Sequence, residues 1–99
     1  MTITEFVTGN INKIAYAVGF DVSDTDSKAM IQLLIEAGID DMKQSGVAEA
    51  VITTNKLSIV ALIQFTMDNL KMVPGDFRTS PMYQSNVMKL KYAVIPDAS

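Results

Sequence analysis

Asp21, Asp24 and Asp26 crowd into the segment FDVSDTD, the densest run of carboxylates in the chain. Carboxylates this close invite a calcium loop, which needs a glycine at loop position six and a bidentate glutamate at position twelve. Counted from Asp24 those positions hold Ala29 and Ile35, and counted from Asp21 they hold Asp26 and Gln32. Neither register supplies the ligands. The cluster reads instead as helix capping, because short acidic side chains suit the positive end of a helix. A second set, Glu36, Asp40 and Asp41, falls within two turns of one expected helix. Paired carboxylates do acid–base work when a cleft raises one pKa. Nothing in the pattern supplies a cleft, so this set reads as a solvated face, with Asp40 spaced to pair with Lys43.

Other chemistry is limited by what the chain lacks. It has no histidine, which removes the commonest general base and metal ligand at neutral pH, and no cysteine, which removes thiolates and disulfides. The absence of cysteine fits a reducing compartment. No phosphate loop, dinucleotide fingerprint, Ser–His–Asp set or helical zinc motif is present. The expectation is a protein that is not an enzyme and that uses no cofactor or metal.

The net charge is −3, and the eight basic residues, Lys13, Lys28, Lys43, Lys56, Lys71, Arg78, Lys89 and Lys91, are scattered. Nucleic-acid binders concentrate positive charge in a stripe. Only Lys89 and Lys91 lie together here, so sequence-specific binding to nucleic acid is not expected. The start, MTITEFVTG, has neither a basic region nor a long apolar run, so no secretory signal is expected.

The elements that position these groups read as helices. With 99 residues and 48% hydrophobic content, the chain suits one packed domain over 1–99. Thr4 to Val18 places Phe6, Val7, Ile11, Ile14, Ala15 and Val18 at helical spacing, with Thr4 as N-cap and Gly19 as the stop. Thr25 to Gln44 follows, with Met30, Leu33, Leu34, Ala37 and Asp41 on one face and Ile31, Ile35, Ile39 and Met42 widening it; Gly46 serves as its C-cap glycine. Val47 to Thr54 is a linker, either another helical turn or a short extended piece, because its β-branched run disfavours a helix.

Asn55 to Met72 is the most telling stretch. Of the eleven residues Leu57 to Met67, eight are apolar and only Ser58, Gln64 and Thr66 are not. A surface helix needs one apolar stripe and a broad polar face. This one is either the central helix of the core or is covered on one side by another chain. It is too short for a membrane span, which takes about 20 apolar residues. Pro74 to Pro81 then reads as a loop carrying Phe77 and Arg78. In the last segment, Met82 to Ala93, Val87, Leu90 and Val94 fit a helix capped at Ser85. Met88, Leu90, Tyr92 and Val94 also alternate with Lys89 and Lys91, as in a strand. The expected fold class is all-α: a compact bundle of about four helices with a long loop before the C-terminal helix. The seven methionines suit core gaps, or otherwise a surface that repacks around partners.

Three stretches, DTDSKAMIQLLIEAGIDDMKQSG, NKLSIVALIQFTMDNLKM and SPMYQSNVMKLKY, together resemble the small helical head–tail connector (adaptor) proteins of long-tailed bacteriophages. In that family an acidic turn precedes a helix of the form D-x-x-I/L-x-x-L-I-x-A-A. Asp26, Met30, Leu33, Leu34, Ile35, Glu36 and Ala37 stand in that place, with Gly38 where a second alanine is usual. The family's apolar central helix often ends in Tyr-Asp-Asn-Arg; here Met67, Asp68, Asn69 and Leu70 keep only the Asp-Asn. The resemblance covers Asp24 to Tyr92, about two-thirds of the chain, and Ile11 to Asp21 departs from the family's usual opening.

What the resemblance implies is a virion protein. When assembled it would form a homo-oligomeric ring between portal and tail after DNA packaging, with a monomer allowed in isolation, with no active site, in contact with the portal protein and neighbouring connector or tail-completion proteins. DNA would pass through the ring, no membrane would be involved, and the protein would occupy the host cytoplasm during assembly. The residues expected at partner contacts are Phe77, Arg78, Met82, Tyr83, Lys89 and Lys91. On this reading, removal of Met82–Ser99 leaves a folded protein that cannot assemble. The alternative is a small helical regulatory module that binds one protein or DNA partner.

Overall fold

A computed structural model describes residues 1–70 and 78–95. The described residues form five helices and no strand: α1 (Ile3–Ala17), α2 (Thr25–Gln44), α3 (Glu49–Thr54), α4 (Lys56–Asn69) and α5 (Pro81–Lys91). The all-α expectation holds, with one more helix than the sequence suggested.

Helix starts and stops follow local chemistry. α1 begins at Thr2, not at Thr4. The Thr2 hydroxyl accepts from the Glu5 N–H at 3.1 Å, and the Glu5 carboxylate accepts from the Thr2 N–H at 3.0 Å. This reciprocal capping box needs Glu three residues after the cap, and Thr2-Ile3-Thr4-Glu5 supplies it. The backbone N–H of Thr2 first, and then the Thr2 side chain, hold the Glu5 carboxyl below its usual range. α1 and α2 both end at a glycine with positive φ, Gly19 at +82° and Gly46 at +103°. At each, the next N–H reaches back to the helix, Phe20 to the Ala15 carbonyl at 2.9 Å and Val47 to the Met42 carbonyl at 3.0 Å. Glycine enters this left-handed backbone without a Cβ clash.

The segment expected to be a linker is partly helical. α3 holds the β-branched run because Val51 and Ile52 are buried, and tertiary burial outweighs a weak propensity. The Thr53 and Thr54 hydroxyls donate to the Glu49 and Ala50 carbonyls at 3.1 and 2.6 Å. Asn55 then closes α3 and caps α4, its side chain accepting from the Leu57 N–H at 2.9 Å. Buried Ser58 donates toward the Ile52 and Asn55 carbonyls at 2.6 and 2.7 Å, pinning the corner.

α4 is the central helix, in contact with α1, α2, α3 and α5. Its Ala61, Leu62, Phe65 and Thr66 are buried. α2 turns Ile31, Leu34, Ile35, Ile39 and Met42 into the core, whereas Met30 and Leu33, placed on the principal apolar face by the sequence reading, are exposed. α2 and α4 approach closely at Gly38, where a Cβ would stand 2.8 Å from Leu62 Cδ2 and 3.1 Å from the Phe65 ring. The methionines are mostly not core filling: Met42 is buried, but Met1, Met30, Met67, Met82 and Met88 are exposed. Met72 lies outside the described residues.

Candidate partner-binding surface

α5 carries most of the residues singled out for partner contact, and its start is set by α4. Ser80 is the N-cap, its hydroxyl accepting from the Tyr83 N–H at 3.2 Å, with Pro81 in the first turn. A serine followed by proline at the first helical position is a local start signal, because proline's missing N–H costs nothing there. Ser85, expected to be the cap, sits exposed within the helix. Asp68 and Asn69 hold the chain leading into α5. The Ser80 N–H donates to Asp68 Oδ2 at 3.1 Å, and Asn69 bonds both backbone groups of Arg78 at 2.6 and 2.8 Å.

Helical geometry divides α5 into two faces. Tyr83, Asn86, Val87 and Leu90 recur at i, i+3, i+4 and i+7 and are buried. The strand alternative fails because it would bury Met88, Tyr92 and Val94 with Leu90, and all three are exposed. Tyr83, expected at a partner contact, is only 1% exposed and is a core residue. Its ring lies against Phe65, with centroids 5.4 Å apart, and its hydroxyl donates to Asp41 Oδ2 at 2.7 Å. Burial, then the Asp41 hydrogen bond and charge, push the Tyr83 hydroxyl well above the usual tyrosine pKa. Asn86 donates to Gln64 Oε1 at 2.8 Å across to α4. Removal of Met82–Ser99 therefore takes core side chains with it, and the expectation that this segment is dispensable for folding is corrected.

The outward face carries Met82, Met88, Lys89 and Tyr92, with Met82 66% and Tyr92 75% exposed. Arg78 and Lys91 are also exposed. Lys91 leans inward: its stem lies over Gly46, and its ammonium sits 5.7 Å from the Tyr92 ring centroid. Phe77 lies outside the described residues. Of the expected contacts, α5 brings Met82 and Lys89 together on its outward face, Lys91 turns toward Gly46, and Arg78 precedes the helix. Sequence reasoning missed Met88 and Tyr92. Their signal was present, since both lie opposite the Tyr83, Val87 and Leu90 face.

The acidic groups take separate structural duties. Asp21 Oδ1 accepts from the Ser23 N–H and hydroxyl, which hold its carboxyl below the usual range. Asp24 precedes α2 and accepts from the Ser27 hydroxyl at 2.6 Å. Glu36 accepts from Gln32, Asp41 from Tyr83, and Lys43 pairs with Glu49 at 3.1 Å instead of with Asp40. Among the described residues, no group of three or more acidic, histidine or cysteine side chains is placed to hold a metal ion. No described helix is long and apolar enough to cross a membrane. A groove of about 500 Å³ lies between α1 and α2, and one of about 200 Å³ lies between α2 and α5 over Asp41, Ser45 and Val87.

α5 is thus apolar on its buried face and also carries large apolar side chains, Met82, Met88 and Tyr92, on its exposed face. Interface anchors are commonly long apolar, aromatic or cationic side chains. Comparison with protein-family models, with curated proteins and with solved structures finds no match.

Proposed function

We propose that this protein is a structural component of a phage virion, a connector that assembles as a ring between portal and tail after DNA packaging. The observation that carries the reading is the two-sided character of α5. Tyr83, Val87 and Leu90 lock it into the core, while Met82, Met88 and Tyr92 stand outward beside Lys89. Large apolar groups held outward on a rigid helix form a pre-organised docking surface, with little ordering cost on binding. The sequence resemblance supplies the partners: the portal protein on one side and a neighbouring connector or tail-completion protein on the other. The net charge of −3 suits a channel through which DNA slides without adhering. The protein acts without a cofactor, in the host cytoplasm during assembly and then at the head–tail interface of the virion.

The test is co-purification with the portal and neighbouring morphogenetic proteins of its own locus, followed by native mass spectrometry and negative-stain imaging. A ring of this protein on the portal is the expected result. Capture of a single unrelated partner, with no association to any morphogenetic protein, overturns the reading in favour of a helical regulatory module.

A further inference from the structure

We infer that the outward face of α5 on one copy of this chain mates with the outward face of α2 on a second copy, head to tail. The inference rests on the assembly reading above and specifies the subunit contact.

The two faces are complementary in charge and alike in apolar content. On α2, Met30 and Leu33 are exposed at 48% and 54%, flanked on the same face by Asp26 and Asp40, with Glu36 at the edge where the face meets the groove against α1. The two lysines of α2 lie elsewhere: Lys28 lines the groove against α1, and Lys43 is paired with Glu49. α5 has no acidic residue at all, and its outward charge is Lys89. Two α2 faces brought together would oppose carboxylates, and two α5 faces would oppose lysines, whereas α2 against α5 pairs opposite charges around an apolar centre. Like-charge juxtaposition of this kind selects the unlike pairing.

The lengths and directions also match. Met30 to Asp40 and Met82 to Tyr92 each rise about 15 Å along a helix. Laid parallel, Met82 meets Met30, Lys89 falls between Glu36 and Asp40, and Tyr92 reaches Asp40. Within one subunit α5 runs parallel to the second half of α2: Tyr83 touches Asp41 near its start, and Lys91 lies over Gly46 near its end. A rotation about an axis along these helices preserves their direction. It therefore brings α5 of one copy parallel to α2 of the next. Because the two patches differ, every added copy leaves one of each unsatisfied, and association continues until a ring closes.

Sedimentation velocity and native mass spectrometry of the full chain test this, with two exposed-site variants, Met88→Asp on α5 and Leu33→Asp on α2, each checked by circular dichroism for an unchanged fold. Wild type is expected to form higher oligomers that weaken as salt rises. Each variant alone is expected to be monomeric. An equimolar mixture of the two retains one intact α5–α2 contact and is expected to give a heterodimer and nothing larger. A monomeric wild type, a variant that still oligomerises alone, or a mixture that stays monomeric overturns the inference. Portal capture of wild type is scored alongside. Portal binding without self-association sinks this inference alone, and self-association without portal binding leaves it standing while the connector reading falls.

Discussion

Asn69 holds Arg78 by both of its backbone groups. Asn69 Oδ1 accepts from the Arg78 N–H at 2.6 Å, and Asn69 Nδ2 donates to the Arg78 carbonyl at 2.8 Å. The same amide nitrogen donates to the Phe65 carbonyl one turn back at 2.7 Å. The side chain thus stands in for a neighbouring strand and fixes where the chain re-enters the bundle before α5. Asp68 adds a second tie at Ser80.

Asn69→Ala removes these hydrogen bonds and unties the partly buried backbone N–H and carbonyl of Arg78, at a cost of about 1–3 kcal/mol. Asn69→Asp should be worse at neutral pH, because a carboxylate oxygen would face the Phe65 and Arg78 carbonyls. That repulsion and burial would raise the folded-state pKa of the new aspartate above its unfolded value. The folded state then binds more protons, so stability falls as pH rises above about 4. Thermal melts from pH 7 to pH 4 should show the gap between Asn69→Asp and wild type narrowing; a constant gap would refute the assignment.

Tyr83→Phe keeps the ring packed on Phe65 and deletes the donor to Asp41. A hydrogen bond to a charged group is worth about 1.5–3 kcal/mol, and urea titration should read a loss of that order. The pH arm has a definite sign. With the folded pKa raised, the native state keeps the phenolic proton after the unfolded chain has lost it at about pH 10. Stability is fully present below that pH and then declines by up to about 1.4 kcal/mol per pH unit. The decline should be shallower in Tyr83→Phe, and equal slopes would exclude Tyr83 as its source.

Glycine to alanine should have opposite effects at two positions. At Gly9, exposed in α1, a Cβ meets nothing within 4 Å, so alanine is expected to stabilise by roughly 0.5–1 kcal/mol through helix propensity. At Gly38 the same propensity gain meets Leu62 and Phe65, both buried. Overpacking costs about 1–3 kcal/mol, so the net effect is destabilising by about 1 kcal/mol. Chemical denaturation of both variants checks the pair, and a stabilised Gly38→Ala would show that the α2–α4 contact yields.

The two faces of α5 should separate in mutation. Val87→Ala and Leu90→Ala delete buried methyl groups and should lower stability by about 1–4 kcal/mol, with self-association lost only as unfolding begins. Met88→Ser and Tyr92→Ser alter exposed positions and should shift stability within about 0.5 kcal/mol while abolishing self-association. Self-association retained by the folded Met88→Ser, Tyr92→Ser double variant would remove α5 from the subunit contact.

By itself the sequence determined the helical class, the bounds of α2, the glycine stops at Gly19 and Gly46, and the over-apolar character of α4. Each of these is written within a turn or so of chain, through side-chain periodicity or the steric freedom of glycine. The capping box at Thr2 and the Ser80–Pro81 start were equally local, and nearer-looking caps at Thr4 and Ser85 masked them. Only the tertiary structure decided which side of α5 turns inward, since Val87, Leu90 and their neighbours fit two periods until α4 offers a surface at Phe65 and Gln64. It also decided that α2 buries the Ile31, Ile35 and Ile39 side and leaves Met30 and Leu33 in solvent. The same holds for Tyr83: its burial depends on Asp41, 42 residues away in the chain. Local signals act over a few residues, whereas burial is set by whichever distant surface arrives to exclude water.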